Sequence, residues 1–383
     1  MQKAHLVFNL LRIGLFSLAV IVVSDLAAGA TFNSLGLSNS YALDVTNDGT
    51  VIGFTGNNSL SRQLFRWTPN ETILLDASIP SAAAIVETDG AAISADGSTI
   101  VGTYRTSSDG FQAFRWTSAG GYQLLGDFPG APPPDSRAFD VNEDGTVVVG
   151  TGRFTDRTAA FRWTSATGLQ DLGDGAPLAI SSNGEFIVGQ RLSAGRGAVR
   201  WTSDGQMNGL PTLPGSSGSS ALAVANNGIS AGGNNFGAMM SLRSQAVRWT
   251  EEGVMSLGAF PGALPIHSST ALGISADGTA IVGLAQVPGP DGQAVSRAFY
   301  WSETTGMVNL RDLLVGLGAA GLDDWVLSSA NAISDDGLTI VGEGGRGTGR
   351  EAFIATIPEP STIVLAIVAA VVLSFAVRRL RSG

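Results

Sequence analysis

The segments ALDVTNDGTVIG at residues 42–53, AFDVNEDGTVVVG at 138–150, ALGISADGTAIVG at 271–283 and NAISDDGLTIVG at 331–342 are four copies of one pattern. Each reads as an apolar strand, a tight turn with an acid before glycine, and a second apolar strand ending in glycine. The turn glycines recur at Gly49, Gly97, Gly145, Gly184, Gly228, Gly278 and Gly337, and each follows Asp or Asn. That dipeptide tolerates the positive φ of a two-residue turn between antiparallel strands. The sequence therefore predicts seven β-hairpins.

A second motif follows each hairpin. Its fullest form, Ala-Phe-Arg-Trp-Thr, occupies 113–117 and 160–164. Variants stand at 64–68, 198–202, 246–250 and 298–302, and the seventh copy, 352–356, has Ala355 in place of tryptophan. Most copies lead through a polar turn into a fourth short apolar segment, as in YQLLGDFPG and VMSLGAFPG. Four strands per repeat, with turn glycines spaced by 48, 48, 39, 44, 50 and 59 residues, match the roughly 40–50 residues of a propeller blade. The expected fold is all-β: a seven-bladed β-propeller of four-stranded blades over residues 31–357. Thr31–Leu37, TFNSLGL, resembles a fourth strand detached from its repeat, whereas the last repeat stops after its third strand, AFIATI. The N-terminal strand is therefore expected to complete the last blade and close the ring, which removes open sheet edges.

Side chains alternate along a strand, so Phe114 and Trp116 share one face and Arg115 takes the other. Trp67, Trp116, Trp163, Trp201, Trp249 and Trp301 are expected to pack between blades. The recurring Arg66, Arg115, Arg162, Arg200 and Arg248 would be costly to bury unpaired, and salt bridges to Asp48, Asp96, Asp144 or Asp277 are expected. Trp325 falls outside the motif, in GLDDWVL, and is the candidate ligand contact.

The AFRWT segments beside Asp-Gly hairpins resemble the HAF-type extracellular repeat family over nearly the whole of the central region. The copies here begin Ala-Phe or Ala-Val, without the histidine of that family's name. The resemblance implies an extracellular repeat protein and supplies no catalytic residues.

Residues 1–30 read as a secretory signal: Lys3, His5 and Arg12 precede an apolar run from Ile13 to Val23, and Ala28-Gly29-Ala30 offers small residues for cleavage before Thr31. The run is shorter than the roughly 20 residues of a spanning helix. At the other end, 358–383, Pro358-Glu359-Pro360 leads into an uncharged, mostly apolar stretch from Thr362 to Val377 and then Arg378, Arg379 and Arg381. The prolines end the preceding strand, the apolar stretch suits lipid as a C-terminal hydrophobic helix, and the arginines suit the cytoplasmic face. This order resembles the PEP-CTERM sorting signal of Gram-negative bacteria. The resemblance implies an exosortase-type processing enzyme as partner, with Pro358, Glu359 and Pro360 as the sorting motif, a membrane-associated form before processing, and a secreted or cell-surface product.

The net charge is −10, and five of the 22 basic residues but only two of the 32 acidic ones lie in the terminal segments. So acidic a repeat region repels phosphate backbones, and no nucleic-acid partner is expected. There is no cysteine, which excludes disulfides and thiolate chemistry. His267, in FPGALPIHSS, is the sole histidine beyond the signal, so neither a histidine-rich metal site nor several catalytic histidines is available, and no metal or cofactor is expected. Asp-Gly turns alone lack the dense ligand spacing of a calcium loop. Residues 342–347 match a dinucleotide glycine pattern formally, but a strand follows instead of a helix. The expectation is a non-catalytic surface or matrix scaffold that binds exopolysaccharide or another envelope component. The alternatives are a polysaccharide-processing glycosidase using loop carboxylates and a purely structural coat protein.

Overall fold

At all seven turn glycines the backbone is left-handed, with φ between 70° and 79°, so the hairpins form where the Asp/Asn-Gly pairs put them. The preceding acid is consumed by its own turn. Asp48 Oδ1 accepts the Thr50 N–H at 2.9 Å and the Thr46 hydroxyl. Asp96, Asp277 and Asp336 do the same with Ser94 and Ser98, Ser275 and Thr279, and Ser334 and Leu338. These bonds replace water on backbone groups that the ladder cannot reach.

The computed structural model describes residues 29–359 apart from 57–61, 76–84, 106–109, 129–134, 194–195, 203–204, 237–242 and the single positions 155, 265, 290 and 348. Ile13–Val23, Ala28, Pro360 and the expected C-terminal hydrophobic helix lie outside the described residues. Thr31–Thr356 forms one unit of seven four-stranded antiparallel sheets, a seven-bladed β-propeller. The inner strands of blades 1 to 7 are Ser40–Val45, Ile85–Ile93, Ser136–Val141, Ala176–Ile180, Gly218–Val224, Ser269–Ile274 and Val326–Ile333. Blades 1 to 6 run outward in chain order. Blade 7 takes its outer strand from the chain start: Thr31–Ser38 pairs antiparallel with Glu351–Thr356, Thr31 opposite Thr356 and Phe32 opposite Ala355. The ring closes as expected.

Six inner strands share a register shift two residues past the first alanine of the motif, between Ala42 and Asp44 in blade 1 and between Ala138 and Asp140 in blade 3. Such a bulge inserts an unpaired residue and re-aims its side chain. It also explains the glycine that ends each hairpin motif. A Cβ on Gly150 would lie 1.9 Å from the Arg137 carbonyl oxygen, and one on Gly342 would lie 2.0 Å from that of Ser329.

The cores lie between blades. Ala92, Val101, Ala113, Leu125 and Phe128 of blade 2 pack on Val141, Val148, Phe161 and Trp163 of blade 3. Trp201 and Trp249 are fully buried, and their indole N–H groups donate to Leu172 O at 3.1 Å and Pro211 O at 2.7 Å in the preceding blade's outer segment. Trp67 and Trp116 pack partly buried. Four buried serines staple the blades where the inner strands begin. Ser40, Ser136, Ser219 and Ser269 accept the N–H of Ala352, Ala113, Ala198 and Ala246 from the neighbouring third strand at 2.8–3.1 Å.

Three of the five recurring arginines join blades through groups other than the expected aspartates. Arg115 Nε donates to Gly145 O at 3.3 Å, and Arg200 Nη2 donates to Gly228 O. Arg248 pairs with Glu303 at 2.6 Å. The turn acids already accept hydroxyl and N–H groups, which leaves the glycine carbonyls as acceptors. Among the described residues the one helix is Leu310–Gly316, capped by the Asn309 side chain. It fills the 59-residue spacing before Gly337. No helix among the described residues is long and apolar enough to cross a membrane.

Candidate functional site

The bulged inner strands converge on the propeller axis, where they enclose a channel of about 210 Å³ lined from all seven blades. Leu43, Phe139, Leu178, Leu222, Leu272 and Asn331 form a mostly apolar collar, each half-buried. One residue further along, the ring is small except at two places, Asp44 in blade 1 and Asp140 in blade 3. Three residues nearer the turns, the ring becomes polar, with Glu143, Ser182 and Asp335.

Each of the two inner carboxylates bridges its own blade to the next. Asp44 Oδ1 accepts the Val45 N–H at 2.8 Å and Oδ2 the Ile93 N–H at 2.9 Å. Asp140 accepts Val141 at 2.8 Å and Ile180 at 2.7 Å in the same way. These bonds favour the ionised form, but desolvation outweighs them. The carboxyls meet solvent only through the channel and are otherwise enclosed by protein. Burial raises Asp44 to about 6. Burial, and then the charge of Asp44, raises Asp140 to about 8. Asp335 is also raised by burial, against the Ser182 hydroxyl bond that lowers it. The first ionisation therefore falls mainly on Asp44, and its charge holds the proton on Asp140; the two titrate as a coupled pair.

At the turn end, Ser182 Oγ donates to Asp335 Oδ1 at 2.7 Å. Blades 4 and 7 are not neighbours, so this bond crosses the axis. A larger groove of about 770 Å³ opens at the rim between blades 4, 5 and 6. Its arginines, Arg200 and Arg248, are bound to Gly228 O and Glu303 as described.

Trp325 lines a cavity of about 360 Å³ together with Arg297, Asn309 and Arg311. It is 2% exposed and packs edge-to-face on Phe32 with ring centroids 5.0 Å apart, which makes it part of the blade 7 closure. A tryptophan in a loop-like sequence reads as exposed; its partner is nearly 300 residues away in the chain and invisible locally. His267 Nδ1 accepts the Leu264 N–H at 3.3 Å within its own loop. Among the described residues no group of three or more His, Cys, Asp or Glu is placed to hold a metal. Pro358 and Glu359 follow the last strand; Ala30 precedes the first. Asp44 and Asp140 stand inside the hairpin motif itself. Their only sequence signal is an acid at a position where other copies carry Ala or Gly.

No family model matches the chain, and no curated protein matches it. Solved structures do. An oligogalacturonate lyase from Vibrio parahaemolyticus is 12% identical, with a TM-score of 0.55, over 87% of this chain and 98% of that one. A prolyl endopeptidase is 10% identical with a TM-score of 0.53, over 85% of this chain, and a puromycin hydrolase 12% identical with a TM-score of 0.52, over 82%. The match spans about half the length of the prolyl endopeptidase and of the puromycin hydrolase, 51% in both. At this identity the likeness establishes the fold alone. It nevertheless overturns the expectation of a non-catalytic scaffold and of a protein that is not an enzyme. That expectation rested on the absence of catalytic motifs from the repeats, and propellers of this fold form part of an oligogalacturonate lyase, a prolyl endopeptidase and a puromycin hydrolase.

Proposed function

We propose that the chain is an exported propeller enzyme whose axial carboxylate pair performs acid–base chemistry on an uncharged polar ligand, such as a sugar, in the extracellular matrix. The observation that carries the reading is the placement of two buried carboxyls, Asp44 and Asp140, on the wall of one axial cavity, where burial raises both above the ordinary carboxylate range. Paired carboxyls with separated pKa values are the physical signature of an acid and a base at one site. Near neutral pH Asp140 carries a proton that it can give to a leaving oxygen. Asp44, ionised, accepts a proton or stabilises developing positive charge. The Leu/Phe collar supplies an apolar face for a sugar ring.

Export belongs to the same proposal. The apolar leader with Ala28 and Ala30, and the Pro358-Glu359-Pro360 segment before an apolar stretch and arginines, support secretion, sorting by an exosortase-type enzyme and a cell-surface product. Intact-mass measurement of protein from fractionated native cells reads both ends at once. A species starting at Thr31 and ending near Pro358 is expected, and one retaining both terminal segments would contradict processing.

The catalytic reading is tested by incubating the folded protein with neutral oligosaccharides from extracellular polysaccharide and following bond cleavage from pH 4 to 10. Turnover is expected within a bell-shaped profile, and Asp140→Asn should abolish it while circular dichroism stays unchanged. Turnover undiminished in Asp140→Asn, or none on any oligosaccharide, would overturn the proposal.

A further inference from the structure

The channel's two ends are built differently. At the face of the Asp-Gly turns, neighbouring blades are tied turn to turn around the axis. The Asp96 N–H donates to Glu143 O at 3.1 Å, Glu143 to Ser182 O at 2.9 Å, Asn226 to Ala276 O at 2.8 Å and Ala276 to Asp335 O at 3.0 Å. Two asparagine side chains continue the belt. Asn226 Oδ1 accepts the Asn183 N–H at 2.8 Å, and Asn47 Oδ1 accepts the Asp336 N–H at 3.1 Å. Six of the seven blade junctions are thereby pinned, and the Ser182–Asp335 bond lies across the space they encircle.

At the opposite face the ties run outward. Each stapling serine, Ser40, Ser136, Ser219 or Ser269, stands at the start of an inner strand and binds the third strand of the preceding sheet rather than its inner strand. Because each inner strand runs from the serine end to the turn, the collar of Leu43, Phe139, Leu178, Leu222 and Leu272 stands on the serine side of Asp44 and Asp140, and the polar ring stands on the turn side.

We infer that the axial channel is a blind pocket, closed at the Asp-Gly turn face by the inter-turn belt and the Ser182–Asp335 crossbar, so that it receives one small uncharged end group from the opposite face through the apolar collar. This rests on the acid–base reading above for its chemistry. The volume of about 210 Å³ equals roughly seven water molecules at about 30 Å³ each, below the ~300 Å³ at which pockets for drug-sized ligands begin. A polymer cannot thread such a site. It presents one terminus, so the action is exo, and internal linkages stay out of reach of Asp140. A neutral end group is favoured over an anionic one because a second negative charge beside Asp44 would meet repulsion with little hydration to offset it.

Access is read without turnover by labelling carboxyls of the folded chain with a water-soluble carbodiimide and glycine ethyl ester, then following the peptide that carries Asp140 by mass spectrometry. Leu178→Trp fills the collar and should slow labelling of Asp140 at least tenfold. Ser182→Trp adds bulk at the closed end and should leave the rate within twofold of the parent. Leu222→Phe provides a milder block should Leu178→Trp fail to fold, with circular dichroism as the check. Labelling of Asp140 that survives the collar variants, or that only Ser182→Trp suppresses, would overturn the blind-pocket assignment. Catalytic inactivity would leave these rates unchanged and would count against the acid–base reading alone.

Discussion

Asp140 is the residue at which local chemistry and global stability pull in opposite directions. Its ordinary value is 3.8, and burial with the charge of Asp44 lifts it to about 8. Between those values the native state holds a proton that the unfolded chain has released, so stability falls as pH rises through that window. Asp44, lifted to about 6, acts in the same direction over the lower half. The turn acids act oppositely: the Thr46 hydroxyl bond lowers Asp48 and the Thr146 bond lowers Asp144, so their contribution is present above the ordinary carboxylate value and fades in acid. Thermal stability should therefore peak near pH 4–5 and decline toward pH 9, by on the order of 2 kcal/mol once channel water is allowed for. Asp140→Asn keeps one acceptor oxygen and loses the other, leaving a Val141 or Ile180 N–H unpaired at roughly 1 kcal/mol. The variant should be less stable than the parent at pH 5 and at least as stable at pH 9. Parallel Tm-versus-pH curves for the two proteins would show that Asp140 is ionised throughout.

The hairpin with its bulge is the element on which the site depends. The bulge turns the collar residue and the next side chain to the axis, and it presses the inner-strand carbonyl against the second strand. Gly150→Ala would place a Cβ 1.9 Å from Arg137 O, between two backbones that cannot both yield, at a cost of at least ~2 kcal/mol. Gly209, in an outer strand, has nothing within 4 Å of the same added atom, so Gly209→Ala should be neutral or slightly stabilising. Equal Tm losses for the two variants would show that the close approach is not what selects glycine. The sequence displayed the hairpins openly, because Asp-Gly pairs and apolar alternation are local signals. It displayed the tryptophans as blade packing for the same reason. It did not display the bulge, since a register shift leaves no mark in the residues that bracket it. The partners of Arg115, Arg200 and Arg248 were misread as turn aspartates because those acids' prior engagement within their own turns appears only in three dimensions. The axial pair stayed hidden longest: Asp44 and Asp140 are 96 positions apart in the chain, and only ring closure sets them around one cavity.

Closure is the property of the whole molecule that makes the axis a site. The first strand, Thr31–Ser38, supplies the fourth strand of blade 7; it buries Phe32 and Leu35 and covers the edge of Glu351–Thr356. Phe32 also packs on Trp325 and, with centroids 5.9 Å apart, on Phe353. Without this strand the last sheet has a free edge of six residues, and an unpaired edge templates association with other chains. Two buried side chains lost at about 1.5–3 kcal/mol each, with the aromatic contacts on Phe32, amount to several kcal/mol. A chain beginning at Asn39 should therefore melt at least several degrees below the parent and form dimers or larger species through the exposed edge, as read by light scattering after size-exclusion chromatography. Adding the peptide TFNSLGLS should restore a monomer with the parent's Tm, because the pairing needs only the strand and not its covalent link. The restored complex should also regain the slow labelling of Asp140 in the Leu178→Trp background, since closure fixes the spacing of the collar. A shortened chain that stays monomeric with an unchanged Tm would mean that six complete blades hold the ring without the seventh's outer strand, and closure would then be incidental to the axial site.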